Sequence, residues 1–486
     1  MNPLYQRFAA TAARTPDAPA VQAGDQALTH RQLLALADAQ AARWQAQGLG
    51  ERHTIGWLGH NSPAMLAALL ACAKLGAVLV PLNWRLAPAE LVTIARHAGL
   101  ALLDGTPELT DMAAQVRDEA RLAGAAPPQP GIAAGDVLLV YTSGTTGEPK
   151  GALHTQHGML ANIDMAIAVQ GFGPAERVLA VLPLFHVGGL CIQVLPALAA
   201  GAVVNLHARF EPGAWLADVA GWRPTTSLLV PAVMQAILAH PGWPAADLAS
   251  LRFLNSGSSI VPVALIAQFH ARGVPMAQVY GSTETGPFSI ALGPGEALAQ
   301  VGSVGRPAPG VQLKLAGADG QPVAPGAVGE IQLRAPNLMR GYHRLPADGP
   351  VSGFVDGWYA TGDLAHADAD GRVTVVGRSK DMLISGGENI YPAEIENIAA
   401  TWPGVAEAAV IGLPDERWGE VPVLVLVPHP GVVVDLAGLQ AQFTQRLARF
   451  KHPRRMLLMD SVPRTALGKV QKAALRAALL QTAGAG

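Results

Sequence analysis

Short apolar runs alternate with helical patterns along most of this chain, and the alternation limits the folds it can adopt. Examples are AVLVPL at 77–82, DVLLVYTSG at 136–144 and MAQVYGSTE at 276–284. Strands that are apolar throughout are typical of parallel sheets with both faces covered by helices. The pattern predicts an α/β fold, with a large N-terminal region of several subdomains in which helices cover parallel sheets.

The pattern changes twice towards the C-terminus. From about 301 to 376 glycine and proline become dense and short strands such as VQLKL and RVTVVG follow, which predicts a β-rich subdomain. After GRSKD at 377–381 the pattern indicates a small α+β unit of about a hundred residues, which is large enough to be a domain. We therefore expect an N-terminal domain at 1–379 and a C-terminal domain at 380–486, with the boundary at Lys380.

Composition excludes several classes of protein. Of the 486 residues 50% are hydrophobic and 14% charged, which excludes a disordered chain. The net charge of −2 argues against nucleic acid as a partner. Two cysteines, Cys72 and Cys191, are too few for a disulfide framework or a zinc or iron–sulfur site. No stretch resembles a signal peptide or a membrane span, so we expect a cytoplasmic protein.

A glycine- and hydroxyl-rich segment, YTSGTTGEPKG at 141–151, follows a predicted buried strand. Glycines let backbone N–H groups approach a phosphate, hydroxyls donate to its oxygens and a lysine adds charge. The segment lacks the GK[ST] of a Walker loop, and on composition alone a solvated hairpin loop is equally compatible with it. The candidate phosphate ligands are Thr142, Ser143, Gly144, Thr145, Thr146, Gly147 and Lys150.

The full string resembles the signature loop of the adenylate-forming superfamily, which includes acyl-CoA synthetases, peptide-synthetase adenylation domains and luciferases. Five further segments resemble other motifs of that superfamily in the same order. They are VLPLFHVGGL at 181–190, VYGSTETG at 279–286, WYATGD at 358–363, GRSKDMLISGGENIYPAEIE at 377–396 and PRTALGKVQK at 463–472. Six motifs in order over essentially the whole chain identify it as resembling the carboxylic acid–CoA ligase branch.

The resemblance implies a nucleotide site. Thr283 would contact phosphate and Glu284 would hold Mg²⁺, which prefers one or two carboxylates together with phosphate oxygens. Asp363 would accept the ribose hydroxyls, and Arg378 would reach the ribose and the phosphates. Besides the loop residues, the implied ATP site comprises Ser258, Tyr280, Gly281, Thr283, Asp363 and Arg378.

The resemblance also implies two half-reactions in one pocket. Lys469 would bridge the attacking carboxylate and the α-phosphate of ATP, where two anions meet. The small C-terminal domain would then swing about a hinge at Lys380, withdraw Lys469 and admit CoA. The implied CoA contacts are Gly386, Gly387, Trp418, Lys451, Arg454 and Arg85.

The implied acyl pocket is lined by His186, Val187, Gly188, Ser256, Gly257, Ser258 and Ser282. His186 would gate the pocket as a positioning residue rather than act as an acid or base; with Lys469, Thr283 and Glu284 it completes the implied catalytic set. None of the lining segments carries lysine or arginine. We therefore expect a monocarboxylic acid with an apolar tail or ring to be favoured over a dicarboxylate.

The resulting expectation is an ATP-, Mg²⁺- and CoA-dependent acid–thiol ligase that forms an acyl-AMP and then an acyl-CoA. Medium- or long-chain fatty acids are the first expectation for the substrate, and aryl or hydroxycinnamic acids are the alternative. A dicarboxylate ligase, a ligase for an acyl-carrier protein and a non-catalytic nucleotide-binding protein are weaker alternatives. Small molecules are the expected partners, and the chain is expected to be a monomer or a homodimer.

Overall fold

A computed structural model describes residues 2–122, 128–142, 150–257, 260–345, 352–385, 388–415, 418–465 and 469–483. Its strands are β1 Pro19–Ala23, β2 Gln26–Thr29, β3 Thr54–Leu58, β4 Val78–Leu82, β5 Leu102–Gly105, β6 Asp136–Thr142, β7 Lys150–Thr155, β8 Arg177–Ala180, β9 Val203–Leu206, β10 Thr226–Leu229, β11 Leu254–Gly257, β12 Met276–Tyr280, β13 Ile290–Ala291, β14 Arg306–Pro307, β15 Gln312–Ala316, β16 Gly329–Arg334, β17 Gly341–Tyr342, β18 Phe354–Val355, β19 Trp358–Ala367, β20 Val373–Arg378, β21 Leu383–Ser385, β22 Glu388–Ile390, β23 Val405–Asp415, β24 Gly419–Pro428 and β25 Arg455–Leu458. Its α-helices are α1 Pro3–Arg14, α2 His30–Ala46, α3 Pro63–Leu75, α4 Pro88–Ala98, α5 Thr110–Ala120, α6 Gln156–Gln170, α7 Val187–Gly189, α8 Leu195–Ala200, α9 Pro212–Gly221, α10 Pro231–Ala239, α11 Val263–His270, α12 Pro392–Ala399, α13 Leu436–Arg446 and α14 Lys472–Ala483.

Helix ends are fixed by the residues that the sequence places there. Thr29 caps α2 with a reciprocal pair of hydrogen bonds to Gln32, and Ser62 caps α3, whose first residue is a proline. Helix α3 ends at Gly76, which adopts the left-handed conformation that glycine tolerates best. Because α3 is buried along almost its whole length, the apolar run from 65 to 82 forms a core helix followed by the buried strand β4.

Two largely parallel sheets form the N-terminal region, as predicted. One has nine strands in the order β14-β13-β12-β11-β10-β8-β9-β1-β2, with parallel pairing from β12 through to β1. The other has six strands in the order β17-β7-β6-β4-β3-β5, and its centre is parallel. A continuous apolar core joins the two sheets through α2, α3, α6 and α8.

The rest of the described chain forms two smaller sheets. Strands β15, β16 and β18 to β20 form an antiparallel sheet, which is the β-rich subdomain that the sequence predicts. Strands β21 to β25 form the sheet of the small C-terminal α+β unit, with α12, α13 and α14 packed against it. Lys380 is exposed in a single 3₁₀ turn between β20 and β21. The proposed hinge therefore lies between the antiparallel sheet that contains β20 and the C-terminal sheet that contains β21.

Within the described ranges, no helix is both long enough and apolar enough to cross a membrane.

Candidate active site

The turn after β12 carries Glu284 and brings it to a tyrosine from another sheet. The Tyr342 hydroxyl donates to Glu284 Oε1 at 2.9 Å. Tyr342 ends β17, which pairs with β7, and the Lys150 ammonium from the start of β7 lies 5.6 Å from the centre of the Tyr342 ring. Burial and the Glu284 charge raise the pKa of Tyr342, so its hydroxyl stays a donor. The fold thus brings together the proposed metal ligand, a phosphate-loop lysine and a tyrosine that the motifs did not single out.

Both oxygens of the Asp363 carboxylate are held by residues of the proposed nucleotide site. The Tyr280 hydroxyl donates to Oδ2 at 2.8 Å, and Arg378 Nε donates to Oδ1 at 2.9 Å. Asp363 and Arg378 face each other across β19 and β20, and Tyr280 ends β12. A carboxylate has about four acceptor positions, so each oxygen can still accept a ligand hydroxyl.

Lys469, from the C-terminal unit, lies within electrostatic range of this carboxylate. Partial burial and the positive charge of Arg378 hold the pKa of Lys469 below its usual value, while Asp363 and Asp381 oppose that shift. The Thr465 backbone N–H donates to the Lys469 carbonyl at 2.8 Å. The proposed catalytic lysine therefore lies within the electrostatic influence of the proposed ribose site.

His186 lies at the start of α7 with its ring against Phe185, at 4.4 Å between ring centres. Burial and the positive charge of Arg85 lower the pKa of His186 to about 3, so the ring is neutral near pH 7. After α7 the chain forms a π-helical turn over Leu190–Val194 before α8 begins, and such turns are frequent at functional sites. A neutral ring suits the role of a gate rather than that of an acid or base.

Close backbone packing explains Gly257 of the proposed acyl pocket and Gly281 of the proposed ATP site. A Cβ on Gly257 would lie 2.3 Å from the Val279 carbonyl oxygen, and one on Gly281 would lie 2.2 Å from that of Pro287. Ser256 is fully buried and its hydroxyl donates to the Leu229 carbonyl at 2.9 Å, which occupies its proton. Val187 is buried, whereas Gly188 and Ser282 are half-buried.

Several proposed ligands lie outside the described residues: Ser143, Gly144, Thr145, Thr146, Gly147, Ser258, Gly386 and Gly387. The two ends of the phosphate loop are described. Thr142 and Lys150 face each other as the last and first residues of the antiparallel strands β6 and β7. The loop is therefore anchored next to Tyr342 and Glu284.

The proposed CoA contacts of the C-terminal unit fall into two groups. The Arg454 guanidinium lies 5.6 Å from the centre of the Trp418 ring, and both side chains are exposed. Lys451 instead forms an ion pair with Glu394 at 2.7 Å. Arg454 and Trp418 therefore form one surface, while part of the Lys451 charge is already compensated.

A cationic and aromatic cluster that the motifs did not reveal surrounds Arg85. The Trp84 ring has the Arg85 guanidinium 5.1 Å and the Arg209 guanidinium 5.0 Å from its centre, and it meets His60 edge-on. Arg209 Nε donates to His60 Nε2 at 3.0 Å. His60, Trp84 and Arg209 follow β3, β4 and β9 by two or three residues, which is the edge where parallel sheets bind ligands. Their position just after parallel strands is the feature of the sequence that could have identified these residues.

The metal and thiol chemistry open to this site depends on Glu284 and on the two cysteines. Within the described ranges, no group of three or more histidine, cysteine, aspartate and glutamate side chains could form a metal cage. One carboxylate, Glu284, fits an Mg²⁺ ion that arrives with ATP phosphates. Cys72 and Cys191 are buried, and burial raises the pKa of the Cys191 thiol to about 12, so neither is a ready nucleophile.

A carboxylate in the turn after a parallel strand, an arginine–carboxylate pair on the antiparallel sheet and a lysine from a small C-terminal unit are the groups expected of an adenylate-forming enzyme. Residues 8–343 match the AMP-binding enzyme family, and residues 394–469 match the AMP-binding enzyme C-terminal domain. The chain belongs to this family and is an AMP-forming acid–thiol ligase.

Several relatives of named activity match this chain over nearly its whole length. The chain is 43% identical to an indoleacetate–CoA ligase of Aromatoleum aromaticum over 482 residues, 94% of each protein. It is 41% identical to a feruloyl-CoA synthase of an Amycolatopsis species, covering 95% of this chain and 96% of that one. The structure of the anthranilate CoA ligase AuaEII with anthranoyl-AMP matches with a TM-score of 0.90 at 27% identity, covering 99% of this chain and 98% of that one.

Proposed function

We propose that this enzyme activates aromatic carboxylic acids as adenylates and transfers the acyl group to CoA. The observation that carries the proposal is that two relatives more than 40% identical, over at least 94% of this chain, are named for indoleacetate and ferulate. Both acids carry an aromatic ring. These comparisons favour the aryl alternative of the sequence analysis over its first expectation, a fatty acid.

The charges of the proposed pocket support a monocarboxylic substrate. The described segments at 183–190, 255–257 and 286–290 contain no lysine or arginine, and His186 is neutral. Arg85, whose charge reaches His186, lies over the rings of Trp84 and Phe185. The three lining segments themselves would offer a second carboxylate no cationic partner, and burying a carboxylate without one costs several kcal/mol.

In the first half-reaction an oxygen of the substrate carboxylate attacks the α-phosphorus of ATP. A new O–P bond forms and the bond to pyrophosphate breaks. Lys469 would place its charge between the two anions, and Asp363 with Arg378 would hold the ribose. A positive charge that is already in position stabilises the transition state without further reorganisation.

Mg²⁺ is the metal that the family implies, and the donor set around Glu284 fits it. The Glu284 carboxylate would hold the ion, with Tyr342 fixing the orientation of the carboxylate. When bound, the ion would neutralise part of the triphosphate charge. Lys150, which lies over the Tyr342 ring, would contribute a second positive charge at the phosphates.

In the second half-reaction the CoA sulfur attacks the acyl carbonyl, the thioester bond forms and AMP leaves. The C-terminal unit would rotate about Lys380 to withdraw Lys469 and bring residues 386–387 to the acyl group. CoA phosphates would meet Arg85 and Arg209 on the N-terminal domain and Arg454 on the C-terminal one. Our proposed domain boundary at 379/380 is supported by its position in the turn Ser379–Asp381, which lies between two sheets.

The direct experiment measures pyrophosphate release and thioester formation with indoleacetate, ferulate, octanoate and malonate, each with and without CoA. We expect kcat/KM for an aromatic acid to exceed those for octanoate and malonate by about tenfold or more, equivalent to about 1.4 kcal/mol. Release of pyrophosphate without CoA would identify the adenylation step. A preference for octanoate would restore the fatty-acid assignment, and a preference for malonate would mean that a cationic group reaches the pocket.

A further inference from the structure

A small buried cavity lies directly behind the turn that carries Thr283 and Glu284. Its volume is about 10 Å³, and its apolar walls come from β6, α6 and α7, including Leu138, Met159 and Val187. The polar side chains of His154, Asn162 and Asn337 complete the wall next to the 283–286 turn. The Asn162 amide is already hydrogen-bonded, to the Cys191 carbonyl and the Phe288 backbone N–H. A volume of this size holds about one water molecule when polar groups are present to bind it.

Two acceptor atoms at this cavity lack a hydrogen-bond partner within the described residues. They are Nε2 of His154 and Oδ1 of Asn337, whose residues are 3% and 1% exposed. Leaving a buried polar atom without a partner costs free energy, so pairs of such atoms at one cavity call for an explanation.

The tautomer of His154 follows from its other contact. A hydrogen bond with the backbone of Thr283 raises the His154 pKa, which means that the ring donates to the Thr283 carbonyl. Because Nε2 has no hydrogen-bond partner within the described residues, we assign this donor to Nδ1. Burial outweighs this bond and lowers the pKa of His154 to about 4, so near pH 7 the ring is neutral and Nε2 is an acceptor.

The orientation of the Asn337 amide is fixed in the same way. Asn337 Nδ2 donates to the Thr285 carbonyl at 3.0 Å, and the Phe288 carbonyl lies 3.4 Å away. The amide oxygen must therefore be the atom that faces away from these carbonyls, as an acceptor. Two acceptors at one small cavity match a single water molecule, which has two protons to donate.

Three consecutive carbonyls of the motif thus have separate donors. The His154 ring donates to the Thr283 carbonyl, and the Met339 backbone N–H donates to the Glu284 carbonyl at 2.8 Å. Asn337 Nδ2 donates to the Thr285 carbonyl. Gly286 then turns the chain with φ of +75°, and a Cβ there would lie 2.1 Å from the Asn337 carbonyl oxygen. The turn is held against the 337–339 segment with no space for a larger residue.

We propose that His154 and Asn337 are positioning residues for the Thr283–Glu284 motif, joined by one buried water that donates to His154 Nε2 and Asn337 Oδ1. The proposal rests on the proposed function insofar as Thr283 and Glu284 bind MgATP. Neither residue touches the substrates. They act by fixing the backbone from which the ligand side chains extend.

The water and the tautomer are tested on the unmodified enzyme. In a high-resolution crystal structure we expect one ordered water within hydrogen-bond distance of both atoms, and in ¹⁵N NMR spectra we expect His154 to be the Nδ1–H tautomer. An empty cavity, or the Nε2–H tautomer, would overturn the proposal. Neither result depends on which acid the enzyme uses, so failure of the proposed function remains distinguishable.

The positioning role is tested with His154→Leu, Asn337→Leu and the conservative His154→Gln. We expect each leucine variant to raise the Kd for MgATP about tenfold, the effect of losing one buried hydrogen bond, while KM for the acid is unchanged. His154→Gln should recover most of the affinity because an amide both donates and accepts. His30→Leu is the matched control, since His30 is also a buried histidine whose Nε2 has no partner within the described residues.

The pattern of affinities decides the outcome. An equal rise in Kd for His30→Leu, or no recovery in His154→Gln, would assign His154 to general stability and overturn the positioning role. If the leucine variants do not fold, the crystallographic and NMR results on the unmodified enzyme decide the question.

Discussion

The hydroxyl of Tyr342 donates to the carboxylate of Glu284 at 2.9 Å, although the two residues are 58 positions apart in the chain. Tyr342 belongs to β17 of the six-stranded sheet, and Glu284 follows β12 of the nine-stranded sheet. The bond therefore joins the two large sheets at the point where MgATP is proposed to bind. A carboxylate held from one side offers its remaining lone pairs in a fixed direction.

Replacing Tyr342 with phenylalanine should weaken Mg²⁺ and ATP binding without abolishing the fold. A hydrogen bond to a charged group contributes about 1.5 kcal/mol or more, so we expect the Mg²⁺ concentration for half-maximal pyrophosphate release to rise about tenfold. Tyr5→Phe is the matched control, because the hydroxyl of Tyr5 on α1 donates to the carboxylate of Asp38 on α2 at 2.6 Å. If both variants respond alike, Tyr342 has no special relation to the metal.

Lys469→Ala should slow acyl-AMP formation by about a hundred- to a thousand-fold, the usual effect of removing one transition-state charge contact. Thioester formation from pre-made acyl-AMP should persist, since the proposed rotation withdraws Lys469 before that step. Lys472→Ala is the control, because Lys472 is paired with Glu396 at 2.7 Å. Unchanged acyl-AMP formation in the Lys469 variant would disprove its assigned role.

The pKa of Lys469 gives a prediction for alkaline pH. Partial burial and Arg378 lower this pKa below that of a free lysine, and the role proposed for Lys469 requires its protonated form. The adenylation rate should therefore fall as pH rises through a value below about 10.4, the ordinary lysine pKa. In Lys469→Arg any remaining adenylation should lose this alkaline limb, because arginine stays protonated. An identical limb in both enzymes would assign it to another group.

Much of the fold could be predicted because its signals are local. Strand β4 is apolar throughout, and Thr29 and Ser62 cap the helices that follow them. The bounds of α2 and α3 follow from a cap at one end and a glycine at or near the other. Such features depend on neighbours within a few residues, so a single sequence reveals them.

Only the site residues that lie in recognisable motifs could be predicted from the sequence. Asp363, Arg378 and Tyr280 lie in quoted motifs, and the structure joins them by two hydrogen bonds. Tyr342 and Arg209 lie in no motif, because their roles come from the approach of separate sheets. The acyl substrate depends on the shape of the pocket, and small differences in side-chain packing leave no local signature.

Lys380→Pro should separate the two half-reactions. Proline fixes φ, and a rotation between domains must change backbone dihedrals at a few positions, so we expect adenylation to persist and thioester formation to fall steeply. Lys380→Ala is the control, because it removes the same exposed side chain but keeps the backbone free. Equal loss of both half-reactions in the proline variant would place the hinge elsewhere.

Arg209→Ala should weaken CoA binding while leaving acyl-AMP formation unchanged. Arg209 and Arg85 place two guanidinium groups about the Trp84 ring, and a charge-assisted contact to phosphate contributes about 1.5 kcal/mol or more, so KM for CoA should rise about tenfold. Pantetheine has the reactive thiol without the CoA phosphates, so with pantetheine the variant and the unmodified enzyme should behave alike. Arg31→Ala, which removes an exposed arginine paired with Asp17 at 2.7 Å, should change neither. A similar loss with pantetheine would show that Arg209 acts on the thiol tunnel or on the fold rather than on phosphate.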